Sequence, residues 1–363
     1  MLSVLVVSPD PAVPGGVSVF VESMKRHAAQ SRMTSFYIGS MGRPGEPHWR
    51  VAWRLLSAPA RLAWHVLTHP YDVVHLNPTF DAKSLIRDGL LLLKLRGIFY
   101  RRTLVYFHGW DFAVQERIAG HKGLRWLTGW MLNGAGLITV LGDEFREGLI
   151  ALGVAPNRVI VTRTMFDGAG LHAVQNEAPA SSRPFILYMS RFDREKGGRE
   201  LLQAFASLQR PDIDLVMAGE GEDADFLRGE AARLGLAAQV RFTGYVTGAD
   251  KWRLLRDCIL FALPTYYRSE GMPVVVLEAM GAGKPLLVGS AGALKSVVRD
   301  GENGVVLGEI NPRNVETGLR LLLDDEMFAS AAGKRNAELA WSQYEAGRVT
   351  NDIENLYAWV ARC

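Results

Sequence analysis

Short apolar runs alternate with amphipathic segments along the chain. Runs at Ser3–Val7, Ser35–Ile38, Val73–Leu76, Thr103–Phe107, Gly136–Val140 and Val159–Thr162 predict strands. The segments between them predict helices, among them Val17–Arg32 and Glu144–Leu152. Strand–helix alternation of this kind implies a parallel sheet with helices on both faces.

The pattern then restarts. Ala178-Pro179-Ala180-Ser181-Ser182-Arg183-Pro184 reads as a linker. Strands follow at Phe185–Met189, Asp214–Ala218, Val240–Thr243, Ile259–Leu263 and Pro285–Val288. Helices alternate with them at Gly198–Ser207, Asp223–Leu234, Ala249–Arg256, Val274–Ala282 and Leu294–Arg299. A length of 363 residues fits two domains, and the pattern puts them at 1–177 and 178–343. Tyr344–Val360 is again helical in pattern. The expected fold class is α/β, two doubly wound Rossmann-like sheets facing across a cleft. Ligands of such sheets sit beyond the carboxyl ends of strands.

Composition narrows the class. Hydrophobic residues at 48% and charged residues at 22% exclude long disorder. Two cysteines, Cys258 and Cys363, are too few for a disulfide framework or a zinc cluster, which fits a reducing cytosol. The N-terminus reads as a strand rather than a signal peptide, and no run of about 18 apolar residues is present.

Charge is uneven. Residues 1–175 hold 19 Lys+Arg and 12 Asp+Glu, a balance of +7, which leaves 22 against 26, or −4, for the remainder. Between Arg50 and Leu67, the positions Arg50, Arg54, Ser57, Arg61 and His65 fall on one narrow helical arc. Trp53, Trp64 and leucines occupy the rest of the wheel, and Pro59 is expected to kink or split the helix. Arg50, Trp53, Arg54, Arg61 and Trp64 are therefore candidates for contact with an anionic membrane surface. A sheet-packed helix with a solvated basic face accounts for the same pattern. Lys83–Arg102 repeats the composition, with Leu90–Leu93 and Lys94, Arg96, Arg101 and Arg102.

Four turns carry residues suited to chemistry. Pro14-Gly15-Gly16-Val17 follows the first strand and opens a helix, where amides attract an anion. It is neither Gly-x-Gly-x-x-Gly nor a P-loop, which argues against a dinucleotide oxidoreductase. Arg191 and Lys196 flank a glycine-rich helix start and can clamp a diphosphate; surface pairing with nearby acids is the alternative. Glu270 precedes Gly271-Met272-Pro273, and Glu278 lies in the apolar helix beyond. A charge in that setting needs a partner, and the two acids can address two parts of one extended ligand. His108 stands at a strand's carboxyl end, able to carry a proton or bind a sugar hydroxyl, although a core or surface histidine is the commoner case. His75 has the same placement but is followed by Asn77-Pro78 and ranks lower. Asp212-Ile213-Asp214 and Asp223-Ala224-Asp225 read as structural, so no metal site is expected.

These residues resemble the retaining GT-B glycosyltransferases of family 4, the group 1 enzymes. The signature is Glu-x7-Glu, Glu270 to Glu278, within Ser-Glu-Gly-Met-Pro-Val-Val-Val-Leu-Glu-Ala-Met-Gly-Ala-Gly-Lys-Pro. Arg191…Lys196-Gly197, Ala218-Gly219-Glu220-Gly221, Val240–Val246 and Asp300-Gly301-Glu302-Asn303-Gly304 support it. Gly15-Gly16 and His108-Gly109 align in order. The family's Pro-Asn-Gly-Val-Asp is replaced here by Thr162-Arg163-Thr164-Met165-Phe166-Asp167.

The resemblance implies that Arg191 and Lys196 bind the donor diphosphate and stabilise the leaving group. It implies that Glu278 binds the ribose, while Glu270 and the amides of Gly271, Met272 and Pro273 hold the donor sugar. Backbone near Tyr245 and Val246 receives the base. Gly15 and Gly16 close over the phosphates, Glu220 joins the donor site, and His108 approaches the sugar. Segment 344–363 crosses back to the first domain.

The expectation is a cytoplasmic retaining hexosyltransferase that can sit peripherally on the membrane's inner face, with a nucleotide-sugar co-substrate and no further cofactor. Its acceptor would be a lipid-linked glycan or a polysaccharide, with no nucleic acid involved. A nucleotide-sugar epimerase and a non-catalytic partner subunit are the alternatives.

Overall fold

The structure is a computed structural model that describes residues 1–10, 15–38, 47–99, 101–179 and 183–362. Pro14, Cys363 and residues 180–182 of the expected linker lie outside the described residues. The chain divides into two compact units, 1–165 with 346–363, and 166–345.

The first unit is built from β1 (Leu2–Ser8), α1 (Gly16–His27), β2 (Ser31–Tyr37), α2 (His48–Thr68), β3 (Val73–Leu76), α3 (Ala82–Ile98), β4 (Thr103–Tyr106), α4 (Phe112–Gly120), α5 (Lys122–Leu132), β5 (Leu137–Val140), α6 (Asp143–Ala151) and β6 (Val159–Val161). Its strands form one parallel sheet in the order β2-β1-β3-β4-β5-β6. Every residue of β3, β4 and β5 is buried, so apolar runs without alternation are the right sequence signal for them.

The second unit starts with α7 (Ala169–Val174). It continues through β7 (Phe185–Met189), α8 (Gly198–Leu208), β8 (Asp214–Ala218), α9 (Ala224–Arg233), β9 (Val240–Gly244), α10 (Gly248–Asp257), β10 (Leu260–Leu263), α11 (Val274–Gly281), β11 (Leu286–Gly289), α12 (Leu294–Val297), β12 (Val305–Leu307), α13 (Pro312–Asp324) and α14 (Glu326–Leu339). Its parallel sheet runs β12-β11-β10-β7-β8-β9. Both sheets therefore reverse direction once, between β1 and β3 and between β7 and β10. These reversals are where open α/β sheets leave a crevice for ligands.

The chain then returns to the first unit as α15 (Ala346–Val360). Val349, Ile353, Tyr357 and Val360 recur at helical spacing and are buried. Tyr357 Oη and His75 Nδ1 share a 2.6 Å hydrogen bond, so His75 is a core residue that ties α15 to β3.

Four expectations change. The helix opening at Val17 was expected to reach Arg32, but α1 stops at His27 and β2 begins at Ser31 rather than Ser35. The cause is distant in sequence. Glu354 of α15 accepts hydrogen bonds from Ala29 N (3.2 Å), Gln30 N (2.8 Å) and Ser31 Oγ (2.6 Å), and so pins the chain in an extended path.

The boundary between units falls at Met165/Phe166 rather than 177/178. Arg256 of α10 donates to the carbonyls of Val174, Glu177 and Ala178, and Arg253 pairs with Glu177 at 2.5 Å. Residues 166–178 are thereby bound into the second unit.

Pro59 neither splits α2 nor ends it; the helix runs from His48 to Thr68 with Pro59 inside. The basic arc also faces elsewhere than expected. Ala58, Leu62 and Val66 are buried, while Trp49, Trp53, Leu56, Trp64 and Leu67 are exposed. Arg54, Ser57 and His65 lie half-buried along the flank between these two apolar strips, and Arg50 and Arg61 are exposed. Of the membrane candidates, Arg54 is therefore not on the outward face.

Candidate functional site

In the second unit the loops after β7 and β10 meet at the sheet reversal. The loop after β7 carries Arg191 and then a short 3-10 turn, Arg194–Lys196. Gly197 follows with φ 76°, and a Cβ there would fall 2.0 Å from the Pro264 carbonyl oxygen. Glycine is required for this approach, and it starts α8 directly after Lys196. The β8 loop is stitched onto the same place. Ser190 N donates to Ala218 O (3.1 Å) and Phe192 N to Glu220 O (2.8 Å). Gly219, at φ 149°, leaves no room for a side chain against Ser190 O.

Lys196 Nζ lies 2.5 Å from Glu270 Oε2. Both side chains are close to buried, and Thr265 Oγ1 donates to the same carboxylate oxygen at 3.1 Å. Lys196 also stands 4.6 Å over the Tyr267 ring. An ammonium has three N–H groups. With one committed to Glu270, the charge is held in place with donors to spare. Arg191 Nε donates to Asp193 at 2.5 Å, with more than half of its side chain exposed. The two cations expected to clamp a diphosphate thus lie on one loop, one fixed and one reaching into solvent.

Glu270, Gly271 and Met272 are buried, and Pro273 is half-buried ahead of α11. The β11–α12 loop closes over them: Ala293 N donates to Gly271 O at 2.8 Å, and Gly292, φ 59°, has no space for a Cβ. Glu278, inside α11 and 5% exposed, has the partner its setting demands. Lys251 of α10 reaches its Oε1 at 2.5 Å. Glu220 is exposed at the end of β8, and Tyr245 and Val246 follow β9, Tyr245 exposed and Val246 half-buried. β9 lies two strands from β7, about 10 Å across the sheet. An extended ligand can therefore run along this edge from Lys196 to Tyr245.

In the first unit the described loops after β1, β3 and β4 carry no lysine or arginine. Gly15 and Gly16 are exposed at the start of α1, and a Cβ on either would meet nothing within 4 Å. His108 follows β4 and Asn77 follows β3. Asn77 Nδ2 donates to Val7 O (3.1 Å), which leaves Oδ1 to accept from His108 Nε2 (2.8 Å). That assigns the proton to Nε2 and a lone pair to Nδ1. The half-buried ring is sandwiched between Tyr106 (4.7 Å, stacked) and Phe20 (4.6 Å, edge-on), and desolvation pushes its pKa down to about 3. Desolvation thus favours the neutral ring, with Nδ1 its acceptor nitrogen.

Asn77 and Lys251, the partners of His108 and Glu278, are the candidate-site residues that sequence reasoning missed. Asn77 could have been found from strand adjacency: β3 and β4 are neighbours, so the loops after them share an edge. Lys251 has no such local signal.

Among the described residues no group of three or more His, Cys, Asp or Glu stands together as a metal-ligand set. Asp212 pairs with Arg210, and Asp223 with Arg199.

Residues 173–339 match the family model for "Glycosyl transferases group 1". A phosphatidyl-myo-inositol mannosyltransferase of Mycobacterium tuberculosis is 28% identical, over 96% of this chain and 94% of that protein. The fold matches a sucrose-phosphate synthase from Thermosynechococcus elongatus with TM-score 0.78, 18% identity and 99% coverage of both chains. It also matches Anabaena Alr3699/HepE in complex with UDP-glucose, with TM-score 0.74 and 17% identity over 99% of this chain and 100% of that one.

Residues 173–339 are thus a group 1 glycosyltransferase domain, and the chain as a whole has the GT-B fold. The domain and the named glycosyltransferase relatives support an enzyme that takes a nucleotide sugar. In a glycosyltransferase, a fixed ammonium at a sheet reversal suits the leaving diphosphate, where negative charge grows as the glycosidic bond breaks.

Proposed function

We propose that the protein moves a hexose from a nucleoside-diphosphate sugar to a lipid-linked or polysaccharide acceptor, at the cytoplasmic face of a membrane. The transfer retains anomeric configuration and needs no metal. The Lys196–Glu270 pair carries this reading, because it holds a cation at the sheet reversal, where open α/β sheets take ligands.

In the proposed reaction the bond between the anomeric carbon and the diphosphate oxygen breaks through an oxocarbenium-like state. The acceptor hydroxyl bonds to the same face of the carbon, and its proton leaves with the diphosphate oxygen. Lys196 and Arg191 neutralise the growing phosphate charge, doing the work a divalent cation does elsewhere. Glu270 and the Gly271–Pro273 amides hold sugar hydroxyls, and Tyr245 and Val246 receive the base. Glu278 spends Oε1 on Lys251, so the ribose role falls to its second oxygen. His108 accepts a sugar hydroxyl at Nδ1, and Gly15 and Gly16 offer amides to the phosphates. Glu220 borders the same edge.

Support for the acceptor class comes from the mannosyltransferase relative, whose name specifies a phosphatidyl-inositol substrate. The experiment is transfer from a panel of UDP-, GDP- and ADP-hexoses, with chelator present, and the product anomer read by NMR. Retained configuration at an undiminished rate supports the proposal. A requirement for added Mg²⁺ or Mn²⁺, or an inverted product, contradicts it.

A further inference from the structure

Helices α2, α3 and α5 pack side by side on the first unit's sheet, and their outward faces are unusually apolar. On α2, Trp49, Trp53, Leu56, Trp64 and Leu67 follow helical spacing, with Trp53 69% and Trp64 71% exposed. Ile86 and Leu90 extend this surface on α3. Leu124, Trp126, Leu127 and Trp130 extend it on α5. Five of the nine tryptophans of the chain therefore stand on one set of helices, exposed. Scattered exposed apolar residues need no explanation, but a contiguous patch does.

The charges around the patch identify the occupant. The three helices contain one carboxylate, Asp88, and it is buried against Arg87 at 2.6 Å. Arg50, Arg61, Lys83, Lys94, Lys122 and Arg125 are exposed. A surface cavity of about 430 Å³ lies at α5, lined in part by Arg96, Lys122, Arg125, Trp126 and Trp130. Arg96 stands 4.4 Å over the Trp130 ring and donates to the Trp130 carbonyl at 2.9 Å. Tryptophan beside cations, with no competing carboxylate, is the composition of the lipid interface, where indoles sit at headgroup level and cations meet phosphates. Among the described residues no helix is long and apolar enough to cross a membrane, so contact with the bilayer through this face is peripheral.

We propose that the outward face of α2, α3 and α5 docks on an anionic bilayer. The Trp–Leu strip enters the headgroup boundary, and the Arg96–Lys122–Arg125 cavity receives a lipid phosphate. The basic arc of α2 supplies flanking charge rather than the face itself. This rests on the helices' own residues, and it deepens the membrane-acceptor reading without depending on the transfer reaction.

The test is co-sedimentation of the whole protein with vesicles, without donor or acceptor. One set is phosphatidylcholine alone, and the other contains roughly one-third phosphatidylglycerol. Binding is expected to the anionic set, with blue-shifted tryptophan emission and weakening as salt rises. A Trp53→Ser/Trp64→Ser variant should bind about tenfold more weakly or worse, with an unchanged melting temperature. Lys122→Glu/Arg125→Glu should lose the preference for anionic vesicles. Three results would overturn the proposal: no binding by the wild type, full binding by the tryptophan variant, or a stable dimer that shields these indoles from iodide quenching. Stabilisation by a nucleoside diphosphate, measured on the same preparations, reports the donor site separately. Loss of vesicle binding with that stabilisation intact removes the docking face alone.

Discussion

The two sheet reversals share a topology and differ in chemistry. At β7/β10 the loops present charged groups in fixed pairs, Lys196 with Glu270, and behind them Lys251 with Glu278. At β1/β3 the described loops hold no lysine or arginine: beside the Asp10 carboxylate they present two exposed glycines, an amide, and an imidazole kept neutral by burial. The fold leaves a crevice at each reversal, and the side chains decide what chemistry each edge suits. Fixed cations suit a diphosphate. A neutral acceptor nitrogen suits a hydroxyl.

The contrast can be broken at either edge. Lys196→Ala should have the largest effect, lowering kcat about a thousandfold, because it removes leaving-group stabilisation and leaves Glu270 buried without its cation. Steady-state kinetics at saturating donor will show it. His108→Ala should lower kcat about a hundredfold. With a pKa near 3, His108 should add no ionisation to the rate profile between pH 5 and 8; a histidine-like inflection abolished in His108→Gln would contradict this.

Smaller effects sharpen the comparison. Glu278→Gln should weaken nucleotide binding about tenfold, or about 1.4 kcal/mol, by calorimetry. Stability should also depend on pH through two histidines of the first unit. His75, fully buried, and His108 are both held down to about 3 by desolvation. The unfolded chain takes up these protons near pH 6.5 and the folded chain does not. Their contribution is therefore complete above pH 6.5 and is lost as pH falls toward 3, by up to about 1.4 kcal/mol per pH unit for each. Denaturant melts from pH 7 to 4 measure this slope, and His75→Gln should reduce it. The smallest effect belongs to Gly15→Ala, which should change stability by less than about 0.5 kcal/mol because nothing lies near its Cβ. Gly197→Ala should be far more disruptive.

The second unit was more legible in the sequence than the first. β7 and β8 have the predicted bounds, and the helices between β7 and β11 shift by two residues or fewer. Their signals are local: buried apolar runs, and glycines that close turns. Where the sequence misled, the deciding contact was distant. The start of β2 depends on Glu354, and the unit boundary on Arg256. The α2 wheel showed apolar residues on both sides of its basic arc, and only packing decides which side is core. β12, α13 and α14 lie between Arg299 and Tyr344, where no element was predicted. At the site, residue types and their order on the chain were readable, but the pairings of Lys251 with Glu278 and Asn77 with His108 required the sheet order.

The central claim is that fixed side-chain cations, rather than a metal, receive the diphosphate. It is tested most directly by the thermal shift of the whole protein with UDP, GDP and ADP in the presence of EDTA. The account predicts a shift with one nucleotide, worth about 2.7 kcal/mol at a hundred times its Kd, that EDTA leaves intact and Lys196→Ala abolishes. A shift that appears only with added divalent metal, or that survives in Lys196→Ala, would contradict it.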